Sequence, residues 1–141
     1  MTIKEIWIKA KTLDKIILCI YIFAFIGATY NHINDLIRGG LFPYTKWWNV
    51  PLLMNIYWTL LTILDPVAII LLLMSSYIGC IFYIIIMTTD VAINLYANIV
   101  YWKQPLIQSY GLIMQTAFLI FILATVGRIL KHLKMQDNDM I

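Results

Sequence analysis

Four apolar runs, each about the length of a bilayer crossing, take up most of this chain and limit its folding more than any other feature. Between Val50 and Tyr101 the charged side chains are Asp65 and Asp90 and no others. A helix crosses hydrocarbon in about 20 apolar residues. Segments of that kind run over residues 16–37, 50–74, 77–101 and 105–130. In lipid each must close its backbone hydrogen bonds internally, so each is expected to be a helix. The chain is 62% hydrophobic and 12% charged, against about 45–50% and about 25% in soluble domains, and a water-soluble fold is excluded on that ground. The expected architecture is all-α: an integral membrane four-helix transmembrane bundle, with residues 1–141 forming a single polytopic membrane domain.

The break between the second and third spans is the hardest to place. The stretch "LLLMSSYIGC" offers Ser75, Ser76 and Gly79 as turn formers. The apolar stretch from Pro66 to Met87 could form one span, but it would strand Pro51 to Leu64 as a piece too short to cross. A tight helical hairpin near Ser75 is therefore expected.

Charge sets the orientation. Lys4, Lys9, Lys11 and Lys15 precede the first span, and Arg128, Lys131 and Lys134 close the fourth. On the other side stand Arg38, Lys46 and Lys103. Positive charge favours the cytoplasm, so both termini are expected there, in a plasma membrane or a bacterial inner membrane. Tyr44, Trp47, Trp48, Tyr101 and Trp102 then fall at the outer headgroup level, where aromatic rings collect. The loop "GGLFPYTKWWNVP" is too apolar to hang free and is expected to lie in the interface or to fold back over the bundle, bending at Gly39 and Gly40. The N-terminal "MTIKEIWIKAKTLDK" sets Ile3, Ile6, Trp7, Ala10 and Leu13 near one helical face, which reads as a short amphipathic segment on the membrane surface or as a continuation of the first span.

The spans are not uniformly apolar. At 100° per residue, Asp90, Asn94, Asn98 and Tyr101 fall within an arc of about 80° on the third span. Asn55, Trp58, Thr59, Thr62 and Asp65 fall within roughly 120° on the second, and Asn31, His32 and Asp35 within roughly 100° on the first. Asparagine, threonine and aspartate in spans often serve only as glue between helices, at about 0.6 kcal/mol per bond, and Asp65, next to Pro66, has a structural use in satisfying a proline kink. Three polar stripes meeting at similar depth are harder to explain as glue. A carboxyl at mid-membrane costs a few kcal/mol on insertion scales, so Asp65 and Asp90 should face inward. Gln108, Ser109 and Gln115 of the fourth span lie at suitable depth to complete a site, whereas Gly27 and Ala28 read as close-packing residues.

The expected site is a polar intramembrane pocket of Asp90, Asn94, Asn98, Asn55, Trp58, Thr62, Asp65, His32 and Asp35. Its expected use is to bind or carry a small amphipathic or cationic ligand, with Asp90 as proton or cation partner, the asparagines orienting the ligand and Trp58 stacking on it. A second reading is a non-catalytic membrane subunit whose stripes bind a partner protein or a second copy of the chain. A third is a membrane-embedded enzyme using His32, Asp35 and Asp90 as acid–base groups. No metal is expected, because a site needs three or four ligands and only Asp90 could join the His32–Asp35 pair. No cofactor is expected either, since the sequence has no nucleotide-binding glycine loop, no paired-cysteine centre and no histidine pair at mid-membrane depth for haem. Cys19 and Cys80 sit singly in apolar runs, and the charge pattern offers no nucleic-acid surface. No stretch matches a family's pattern residue by residue, so no site is carried over from one.

Overall fold

A computed structural model describes residues 10–74 and 76–138, and every regular element in them is helical. Helix α1 spans Thr12–Gly39, the short α2 spans Pro43–Trp48, α3 spans Leu52–Met74, α4 spans Ser76–Ala97 and α5 spans Tyr110–Asn138. A π-helical turn, Asn98–Trp102, extends α4, and a 3-10 turn, Leu106–Gln108, leads into α5. Four of these helical stretches are long and apolar enough to cross a membrane: Thr12–Gly39, Leu52–Met74, Tyr77–Trp102 and Tyr110–Lys131. The first begins before residue 16, so residues 12–15 belong to α1; the rest of the proposed amphipathic segment, residues 1–9, lies outside the described residues. The fourth begins at Tyr110 rather than near Pro105, because Pro105 and the 3-10 turn occupy the connection.

Helices α1, α3, α4 and α5 pack in the order α1–α3–α4–α5. Their outward faces carry large apolar side chains, among them Phe23, Leu53, Ile63 and Met114, each more than 60% exposed. That surface suits hydrocarbon and not water. Packing against lipid gives no hydrophobic gain, so association must come from close fit and interhelical hydrogen bonds. The close fit is visible at Gly79. It lies inside α4 and not in a turn, and a Cβ there would strike the backbone of Leu72. Its missing side chain lets α3 and α4 touch where they leave the hairpin, with Cys80 and Ala68 fully buried nearby in the same core.

Helices α1 and α5 meet at one end only. The buried Asp14 accepts a 2.5 Å hydrogen bond from Arg128 Nε. About two turns further along α1, Tyr21 hydroxyl lies 2.7 Å from Thr125 Oγ1 and 3.2 Å from the Ile122 carbonyl. An aromatic stack of Tyr21, Tyr83, Phe25 and Phe118 continues inward. Beyond Phe118 the two helices part.

The opposite end is closed by the "GGLFPYTKWWNVP" segment, which does fold back over the bundle. Gly40 takes the left-handed φ of 75° that turns the chain, a conformation open to glycine at little steric cost. Gly39 serves differently: a Cβ on it would lie 2.8 Å from the Trp47 ring. Tyr44, Trp48, Trp58 and Trp102 form a continuous aromatic plug, with ring centroids 5.0 Å apart for Tyr44–Trp58, 5.2 Å for Trp48–Trp102 and 6.1 Å for Trp58–Trp102. The rings expected as separate interface anchors are thus packed on one another.

Candidate functional site

Three of the expected polar residues, His32, Asp65 and Asp90, line one cleft of about 460 Å³ between α1, α3, α4 and α5. Its walls are otherwise mostly apolar, with Phe25, Met87 and Phe118 among them, and among the described residues no lysine or arginine lines it. A cavity of this size, chiefly apolar with a few convergent polar groups, matches the usual form of a small-molecule site.

Asp90 is 6% exposed. Its Oδ1 accepts from Asn94 Nδ2 at 2.8 Å, and its Oδ2 accepts from Gln115 Nε2 at 2.8 Å. Asn94, one turn along α4, also donates to the Asp90 carbonyl at 2.9 Å. Asp90 thereby ties α4 to α5 and leaves both oxygens at the cleft wall with one donor each. Asp65 is 2% exposed, and its Oδ2 has no hydrogen-bond partner. The nearest cationic candidate is His32 Nε2, at 3.9 Å.

His32 and Asp35, three residues apart on α1, are bridged and not bonded directly. Tyr44 stands between them. Its hydroxyl donates to Asp35 Oδ2 at 3.0 Å and lies 3.1 Å from His32 Nδ1. Burial first, and then the neighbouring Asp35 carboxylate, push the Tyr44 hydroxyl well above the ordinary phenol range, so it keeps its proton and remains the donor to Asp35. The remaining contact then requires His32 Nδ1–H to donate to Tyr44, which leaves Nε2 directed at Asp65. The chain Asp35–Tyr44–His32–Asp65 leads from the half-buried loop end to the bottom of the cleft.

Four expected residues have other duties. Asn55 Oδ1 accepts from the backbone N–H of Tyr44 at 3.0 Å and of Thr45 at 3.3 Å, and its Nδ2 donates to the Leu41 carbonyl at 3.0 Å. These N–H groups are the free donors of α2's first turn, which its own N-cap, Phe42, leaves unserved. Asn55 is therefore the remote cap that holds α2 down. Asn98 Nδ2 donates to the Gln104 carbonyl at 3.0 Å, and its Oδ1 accepts from Ser109 Oγ at 2.7 Å. It braces the connection into α5. The π turn that begins at Asn98 inserts a residue into the helical register beyond it, so the regular 100° stripe from Asp90 ends at Asn98 and Tyr101 falls off it. Trp58 is committed to the aromatic plug, and neither it nor Thr62 lines the cleft. Thr62 Oγ1 is buried without a partner.

Replacing Asn55 with leucine is expected to leave two amides and a carbonyl unserved, at about 1 kcal/mol or more each. Hydrogen exchange at the Tyr44 and Thr45 amides should rise about tenfold or more, the ratio that one such loss implies. Unchanged protection would show that α2 is held by its aromatic contacts alone.

Gln115, only loosely suggested by its depth, is the amide that completes the Asp90 site. It also borders a second cavity of about 590 Å³, which Asn94, Gln104, Gln108 and Ser109 line. Among the described residues no three His, Cys, Asp or Glu side chains converge as metal ligands. Comparison with protein-family models, curated proteins and solved structures finds no match.

Proposed function

We propose that this chain is a multi-pass membrane protein, its termini cytoplasmic, whose acidic cleft binds or carries a small amphipathic molecule bearing a positive charge. The observation that carries the reading is Asp65 Oδ2: among the described residues, a buried carboxylate oxygen without a hydrogen bond, in a cleft that also holds Asp90 and no lysine or arginine. A buried carboxylate is costly unless it is paired, and a bound ammonium group supplies the missing partner. Ionisable groups inside a membrane bundle commonly mark ligand or proton routes. The Asp35–Tyr44–His32 chain supports proton exchange with Asp65 when the site is empty, with His32 as the group that passes the proton.

The partner-binding reading has less behind it. The polar stripes turn inward, and the amides of Asn55 and Asn98 are spent on the chain's own loops. An enzymatic use of His32, Asp35 and Asp90 is weaker still, since Asp90 is bonded to amides and Tyr44 separates the other two.

Native mass spectrometry of the protein released gently from its own membranes tests this. One chain or a small homo-oligomer carrying a recurrent added mass, identified as a basic molecule, is the expected result. A chain that is always empty and always arrives with another protein would overturn the pocket reading in favour of an interface.

A further inference from the structure

The mouth of the cleft decides where its ligand comes from. At the loop end the way in is covered by α2, pinned by Asn55 and by Tyr44's bonds to His32 and Asp35, and by the aromatic plug. The open side lies between α1 and α5. Their last described contact is the Phe25–Phe118 ring pair, with centroids 6.3 Å apart. Past it the cleft edge carries the small residues Gly27 and Ala28 on α1 and Gly111, with Met114 and Gln115, on α5, Gly111 being the second residue of its helix and so nearer the loop end than Gly27. These glycines are not close-packing residues, as had been expected of Gly27: a Cβ on Gly27 or on Gly111 meets no atom within 4 Å. Gly27 lies twelve residues before the end of α1 at Gly39, or about 18 Å along the axis. An opening at that depth faces hydrocarbon.

Two independent features therefore coincide: a gap between two helices at hydrocarbon depth, and behind it the buried Asp65 carboxylate, whose Oδ2 has no hydrogen-bond partner among the described residues. We propose that the α1–α5 gap is a lateral portal, through which the acidic cleft takes a long-chain amine directly from the bilayer. The ammonium sits against Asp65 and Asp90, and the alkyl chain lies through the gap over Gly27. The inference deepens the pocket reading and rests on it.

The test uses the full chain in phosphatidylcholine nanodiscs, with dodecylamine and the compact benzylamine as probes. Gly27→Phe and, on the facing wall, Gly111→Phe should each weaken dodecylamine binding by about tenfold or more, a change of about 1.4 kcal/mol. Benzylamine binding should stay within about threefold, and Gly27→Ala should weaken dodecylamine binding less than Gly27→Phe, because its small Cβ has open space. Thermal melting of each variant establishes that it is folded, and two substitutions on opposite walls guard against the failure of one. Unchanged dodecylamine binding in both folded variants would overturn the portal and leave the pocket standing. Equal loss of both amines would also overturn it, marking the glycines as pocket wall. If neither amine binds the wild type, the pocket reading itself fails.

Discussion

Exchange of both Asp65 and Asp90 for asparagine should lower the affinity for dodecylamine by two to three orders of magnitude, about 3–4 kcal/mol. The size follows from the surroundings. Both carboxyls are almost fully buried, and among the described residues no lysine or arginine lines the cleft beside them. A cation there would be balanced by these groups and by little else, and removing one partner of a desolvated charge pair costs about 2–5 kcal/mol. Asparagine keeps the shape and removes the charge. It can still accept from the Asn94 and Gln115 amides through its carbonyl oxygen, though at one site where the carboxylate offers two. Fold and binding are separated by the single variants: Asp65→Asn should melt no lower than the wild type, because a buried carboxyl with an unpaired oxygen has been removed, whereas Asp90→Asn leaves one of its two amide donors unserved and should melt somewhat lower. Binding is read by equilibrium titration in nanodiscs and stability by thermal melting. Retention of full affinity in the double variant would sink the charge-pair account, whatever the melting temperature.

The largest expected loss of stability lies far from the cleft. Gly79→Val should destabilise the bundle by about 2–3 kcal/mol, at the upper end of what overpacking costs. The Cβ of residue 79 would strike the Leu72 backbone, and a backbone cannot rotate away as a side chain can. Relief requires α3 and α4 to move apart, which also disturbs Cys80 and Ala68 beside them. Unfolding by titration with a denaturing detergent in mixed micelles measures the change. A stability equal to wild type would mean that the hairpin can splay without loss, and that Gly79 is not what permits the approach.

These two glycine-related results, at Gly79 and at Gly27, show how far sequence reasoning reaches. From the sequence Gly79 reads as a turn former and Gly27 as a close-packing residue, and each proves otherwise. One is pressed on a neighbouring backbone, and the other stands at an open gap. Each role depends on how far away the next helix lies, and helix spacing is a property of the packed bundle. The same holds for the polar residues. Sequence periodicity correctly drew His32, Asp65 and Asp90 inward, because hydrocarbon cannot solvate them. It could not see that Asn55 and Asn98 would be spent on loops, since loop carbonyls and amides have no signature in the sequence. Nor could it anticipate the π turn at Asn98, which breaks the 100° stripe, or the placing of Tyr44 between His32 and Asp35.

What the sequence determined by itself was the class of fold. Runs of apolar residues as long as a bilayer is thick leave a chain little choice, since only helices satisfy their own backbone there. The break near Ser75, the folding back of the Gly39–Gly40 loop and the inward carboxyls follow from the same local and solvation rules. The tertiary structure alone decided which polar groups share a cavity and where it opens. Those outcomes depend on contacts between residues as distant in the chain as Asp14 and Arg128 or Asp90 and Gln115. In a bundle without a hydrophobic drive between helices, such specific contacts select the packing.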